Sequence, residues 1–146
     1  MVDGDDVGVA QDALMRFVRD FGLHQPDRTP CGQPLAVSEA HAMVEIARTG
    51  RLRQSELTRR LRLQKSTVSR LVTNLEQRGW VRRQAAGDDG RGILLELTEA
   101  GVSAAARQAE ARRDRLTSLL ARIPADRRAA VVLALQTLAE AADEKP

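Results

Sequence analysis

The segment Gln54-Ser55-Glu56-Leu57-Thr58-Arg59-Arg60-Leu61-Arg62-Leu63-Gln64-Lys65-Ser66-Thr67-Val68-Ser69-Arg70-Leu71-Val72 carries two short helical patterns joined by a tight connection. Leu57 and Leu61 lie one turn apart on the first. Val68, Leu71, Val72 and Leu75 repeat at the i, i+3, i+4, i+7 spacing of one buried face on the second, which runs to about Arg78 and stops at Gly79. The opposite side of the second helix opens with Gln64, Lys65, Ser66, Thr67, Ser69 and Arg70. One face is therefore anchored, and the other offers donors and acceptors from the first turns of a helix. A helix of that kind fits the major groove of DNA, where its side chains meet base edges and its free N–H groups meet phosphate. The spacing predicts a helix-turn-helix, with Gln54 and Ser55 at the start of the supporting helix and residues 64–70 opening the recognition helix.

Downstream the period changes. Trp80-Val81-Arg82-Arg83-Gln84 and Ile93-Leu94-Leu95-Glu96-Leu97 read as short strands around the turn-rich Ala85-Ala86-Gly87-Asp88-Asp89-Gly90. A hairpin directly after a recognition helix is a wing. Arg82 and Arg83 on its first strand and Arg91 at its tip are candidate DNA contacts, since an arginine enters the narrow minor groove readily. Asp89 suits holding Arg91 or a neighbouring arginine in position through a charge-assisted hydrogen bond.

Helical patterns flank this region. Apolar residues at Leu14, Phe17, Val18 and Phe21 mark a first helix from about Ala13, after a frayed segment over residues 1–10. Pro26, Pro30, Gly32 and Pro34 mark a loop over 24–34. A second helix starts at Ser38 and closes at Gly50. Thr98 caps a long helix that Pro124 breaks, and a last helix covers about 125–142. The expected fold class is mainly α (α+β), a winged helix-turn-helix. Its parts are a flexible segment 1–10, N-terminal helices over 11–50, the winged region over 51–98 and C-terminal helices over 99–146.

The charge pattern agrees. Residues 1–47 hold three basic and eight acidic side chains, and residues 92–146 hold eight of each. Residues 48–91 hold twelve basic and four acidic ones. Such concentration of positive charge favours a polyanionic partner and disfavours a mainly apolar protein partner, so a protein-interaction module is the weaker alternative. The chain has no Gly-rich phosphate loop, nucleophile motif or carboxylate pair beside a base, and an enzyme is not expected. No apolar run approaches the roughly 20 residues that cross a bilayer. The acidic start lacks the form of a signal peptide, and one cysteine allows no internal disulfide. A cytoplasmic address without a membrane partner is expected.

From Leu52 to Gly101 the chain resembles the MarR family of bacterial regulators. The resemblance rests on Gln54-Ser55-Glu56-Leu57 with Leu61, on Lys65–Val72, on Leu75-Glu76-Gln77-Arg78-Gly79-Trp80-Val81, on Asp89-Gly90-Arg91 and on Leu97-Thr98-Glu99-Ala100-Gly101. With the flanking helices it spans about residues 11–142. It implies a homodimer whose first and last two helices interlock, two winged lobes on double-stranded DNA, and a pseudo-palindromic operator with half-sites about one helical turn apart. It further implies a repressor released by a signal, with a small-molecule effector in a crevice lined by residues such as Met15, Val44 and Leu116. One departure from the family pattern concerns the residues before the two helix-turn-helix helices. They are Arg53 and Gln64 rather than Ser, Thr or Asp, which weakens capping by about 1 kcal/mol per site.

No cofactor is expected. The alternative is a signal-responsive variant. Cys31 is then the redox candidate, or His24, Cys31 and His41, with Glu39 or Glu45, form a zinc site.

Overall fold

A computed structural model of the chain describes residues 1–87 and 92–143. The element order is α1 (Gly4–Phe21), α2 (Val37–Thr49), β1 (Arg51–Arg53), α3 (Gln54–Leu61), α4 (Lys65–Gln77), β2 (Val81–Ala85), β3 (Ile93–Leu97), α5 (Glu99–Ala121) and α6 (Ala125–Asp143). The winged helix-turn-helix is formed by α2–α4 and the sheet. The mainly α class is borne out.

Several boundaries follow from local chemistry. Gly50 ends α2 at φ 76°, a conformation that costs glycine little. Thr98 caps α5, its hydroxyl accepting from the Gly101 N–H at 3.0 Å. Neither Arg53 nor Gln64 makes a side-chain cap on α3 or α4, so both helices start where packing places them. Two expectations are corrected. Helix α1 begins at Gly4, because Asp3 accepts from the Asp5 N–H and caps a polar first turn that apolar periodicity does not report. Helix α2 starts after Ala36, not at Ser38.

The sheet has the order β1-β3-β2, antiparallel throughout. The pairs Arg51↔Glu96, Leu52↔Leu95 and Arg53↔Leu94 join β1 to β3, and Arg82↔Glu96 and Arg83↔Leu95 join β2 to β3. Strand β1 has no counterpart in the local pattern. Three residues reading Arg-Leu-Arg are too few to establish an alternation, and only pairing with β3 makes them a strand.

The core is one cluster under the winged region. Leu35, Met43, Ile46, Leu57, Val68, Val72, Leu75 and Leu95 are its largest fully buried side chains. Its lining comes from α2, α3, α4 and the sheet, with Ala104 of α5 at its edge. By contrast, α1 and α6 contain no buried residue. Among the described residues no helix is long and apolar enough to cross a membrane.

Candidate nucleic-acid interface

The four buried residues of α4 are Val68, Leu71, Val72 and Leu75. Helical geometry then turns Ser66, Ser69, Arg70 and Thr73 to the other side. Gln64, Lys65, Ser66, Ser69 and Arg70 are exposed, and Thr67 is half-buried. The starts of α3 and α4 meet the root of the hairpin around a cleft of about 430 Å³. Gln54, Ser55, Thr58, Lys65, Ser66, Ser69, Gly92 and Ile93 line it. The structure thus brings Gln54, Ser55, Lys65, Ser66 and Ser69 together on one surface. The wing residues Asp89 and Arg91 lie outside the described residues.

Salt bridges sort the basic residues of the segment. Arg48 and Arg60 pair with Glu45, Arg59 and Arg60 with Glu56, and Arg51 and Arg82 with Glu96. Arg62 pairs with Asp143, Arg78 with Glu39 and Arg83 with Glu76. The Arg59 and Arg60 hydrogen bonds hold the Glu56 carboxyl below its ordinary pKa. Among the described residues from 48 to 87, Arg53, Lys65 and Arg70 have no carboxylate partner. Lys65 lines the cleft, and Arg53 reaches its rim. A methyl group built on Gly92 would sit 3.2 Å from an Arg53 Nη1. In the sequence Arg53 stands out only as a poor cap. Its position beside the hairpin root depends on β1 pairing with β3, which no local pattern announces.

Arg83 is a correction. Its expected place was on the DNA surface. Instead its side chain is 22% exposed and points inward. Nε donates to Gln54 Oε1 at 3.3 Å. Nη1 donates to Thr73 Oγ1 at 3.0 Å and to Glu76 Oε1 at 3.3 Å, and Nη2 donates to the Ser69 carbonyl at 2.8 Å. The parity of the strand explains the inversion. Arg83 opposes the buried Leu95 and shares its face, whereas Arg82 opposes Glu96 on the outer face.

The zinc expectation is corrected as well. Among the described residues no three His, Cys, Asp or Glu side chains are grouped to hold a metal ion, so His24, Cys31 and His41 do not form a centre. Cys31 is half-buried, with its Sγ 3.0 Å from Thr29 Oγ1. Cys31 and His41 line a cavity of about 170 Å³ together with Phe21, Gln108, Arg112 and Leu116. Of the three residues expected along an effector crevice, Leu116 is present there. Met15 borders a separate depression along α1.

A model of the MarR family matches residues 34–92, the span from the approach to α2 to the residue before β3. Over that span the chain is similar to the MarR family. The chain is 26% identical to an uncharacterized HTH-type transcriptional regulator of Mycobacterium leprae (strain TN). That match runs over 134 residues, covering 92% of this chain and 90% of the relative. The crystal structure of a probable transcriptional regulator from Pseudomonas aeruginosa superposes with a TM-score of 0.73 at 25% identity, over 88% of this chain and 95% of that one. A mutant of MarR from E. coli, solved in complex with operator DNA, superposes with a TM-score of 0.69 at 20% identity, over 94% and 99% of the two chains. These relatives are named as transcriptional regulators, and this chain shares the fold of the two solved structures.

Proposed function

We propose that this protein is a MarR-family regulator that binds double-stranded DNA as a homodimer at a pseudo-palindromic operator, represses transcription there, and is released by a small-molecule signal. The observation that carries the reading is the placement of unpaired positive charge. Arg53, Lys65 and Arg70 lack carboxylate partners among the described residues; Lys65 lines the cleft at the start of α4, Arg53 lies beside Gly92 at its rim, and Arg70 is exposed on α4. Counterions released from DNA phosphate reward that arrangement, and Gln64, Ser66, Thr67 and Ser69 supply the groups that read base edges. Gln54 and Ser55 face the neighbouring backbone. Arg82 meets phosphate more weakly, because Glu96 shares its charge. In this reading Arg91 enters the minor groove, and the role of Asp89 is to hold an arginine of the wing through a charge-assisted hydrogen bond. The E. coli MarR mutant of the same fold is bound to operator DNA.

Dimerisation is supported by apolar surface that one chain leaves uncovered. Leu14, Met15, Phe17, Leu116, Val132, Leu135 and Leu138 are exposed on α1, α5 and α6. Phe17, Phe21, Leu116, Leu119, Val132 and Leu135 line an apolar cavity of about 500 Å³ between those helices. A surface of this size calls for a partner, and a two-fold pairing of identical chains is the common solution. In this reading residues 11–50 and 99–146 build the dimer, and 51–98 bind DNA. The cavity near Cys31 supports an effector that is mostly apolar with one anionic group, since Arg112 stands among apolar walls.

The test is selection of bound duplexes from a random pool, then anisotropy titration against the selected sequence over a range of salt. Two chains per duplex and a steep fall of affinity with salt are expected. Arg91→Ala is expected to weaken binding without lowering the melting temperature. Failure to retain any duplex in low-salt buffer overturns the reading.

A further inference from the structure

We infer that Arg83 acts as a positioning residue for DNA recognition, locking the hairpin to the recognition helix so that the two reading elements approach DNA as one rigid unit. The inference rests on the DNA-binding reading above.

Arg83 belongs to β2, and its partners belong to two other elements. Gln54 opens α3, while Ser69, Thr73 and Glu76 lie along α4. A guanidinium has five N–H donors in a fixed plane. Four are engaged here, which leaves no fork free for a phosphate. The acceptors are themselves fixed. Thr73 Oγ1 donates to the Ser69 carbonyl at 2.9 Å, so its lone pairs face Arg83 Nη1. Ser69 is therefore gripped through its carbonyl while its side chain lines the cleft.

A lysine in this place presents its donors from a single nitrogen and lacks the planar fork that addresses Gln54, Thr73 and the Ser69 carbonyl from three nitrogens. The consequence for function is pre-organisation. Base readout requires the α4 side chains and the hairpin to reach adjacent grooves in one geometry, whereas non-specific binding depends on charge alone. Loss of the lock therefore affects the specific complex far more than the non-specific one.

The test uses the full chain with Arg83→Met, Arg83→Lys, Thr73→Val and the Arg83→Met/Thr73→Val double variant. Affinity is measured on the selected duplex and on a scrambled duplex, beside thermal melts. Arg83→Met and Arg83→Lys are expected to weaken the selected duplex tenfold or more and the scrambled one less than threefold. Thr73→Val is expected to reproduce part of that loss, and the double variant to equal Arg83→Met alone. Equal losses on both duplexes with Thr73→Val at wild-type affinity would show a direct phosphate contact and overturn the inference. If Arg83→Met fails to fold, the nearly isosteric Thr73→Val decides by the same comparison of duplexes. Absence of binding by the unaltered protein would instead count against the DNA reading itself.

Discussion

The α-carbon of Gly101 packs against the carbonyl oxygen of Trp80, so closely that a methyl group built on Gly101 would overlap that oxygen. The same junction is tied by the Thr98 N–H donating to the Trp80 carbonyl at 3.0 Å and the Thr98 hydroxyl donating to the Gly79 carbonyl at 2.5 Å. The first turn of α5 is thereby seated on the entrance to β2. Gly101→Ala forces backbone apart from backbone, with no flexible side chain to yield. A loss of about 1–3 kcal/mol is expected, read as a lower midpoint in urea. An unchanged midpoint would contradict the close approach.

Charge pairing around α4 makes a second prediction. Arg53→Met, Lys65→Met and Arg70→Met should each flatten the plot of log affinity against log salt by about 0.9, the value for one phosphate contact. Arg59→Met serves as the control, since Glu56 holds that guanidinium at 2.5 Å. Its slope is expected to match the wild type. Equal flattening by all four variants would mean that only net charge matters.

Acid should weaken the support that α3 gives to α4. Glu56 has a lowered pKa in the folded chain, caused first by the Arg59 hydrogen bond and next by that of Arg60. Arg60 also reaches Glu45 at 3.0 Å, which ties α3 to α2. The sign is that of a depressed carboxylate. Its stabilisation is complete above the ordinary value of 4.5 and disappears as pH falls through the lower folded value. Glu56→Gln should melt below the wild type at neutral pH, and the two curves should converge in acid. Parallel curves down to the acid limb would rule out this source. The pair is exposed, so the difference is expected to be small and to shrink with salt.

Association should fail when charge enters the uncovered apolar face. Leu135 is 52% exposed and lines the cavity between α1, α5 and α6. Leu135→Glu is expected to shift the chain to a monomer in sedimentation equilibrium and to reduce DNA affinity by more than tenfold. The winged core lies elsewhere, so its cooperative unfolding should persist. A dimer of unaltered affinity would place the interface on another surface.

Much of the architecture was legible in local pattern. The helix-turn-helix followed from Leu57, Val68, Leu71, Val72 and Leu75, because a buried stripe repeats at helical spacing. Gly50 and Thr98 marked boundaries through their own backbone chemistry. The polar start of α4 was equally visible, and the structure gathers Gln54, Ser55, Lys65, Ser66 and Ser69 around one cleft. Other features were hidden for definite reasons. The first turns of α1 carry no apolar period, and β1 is too short to show one. His24, Cys31 and His41 are close in sequence, yet the loop does not draw them into a metal-binding group.

Composition, period and capping chemistry act over a few residues, and at that range the sequence alone determined the class of fold, the helix-turn-helix and the basic middle segment. Tertiary structure decided which arginines are available. Arg82 and Arg83 are neighbours with the same side chain, but a strand sends them to opposite faces, one beside Glu96 and one into a lock on α4. Arg53 remains without a carboxylate partner among the described residues, while Arg51, two positions earlier, pairs with Glu96. Pairing and burial are long-range properties, set by which element a side chain finally faces, and no residue carries that information by itself.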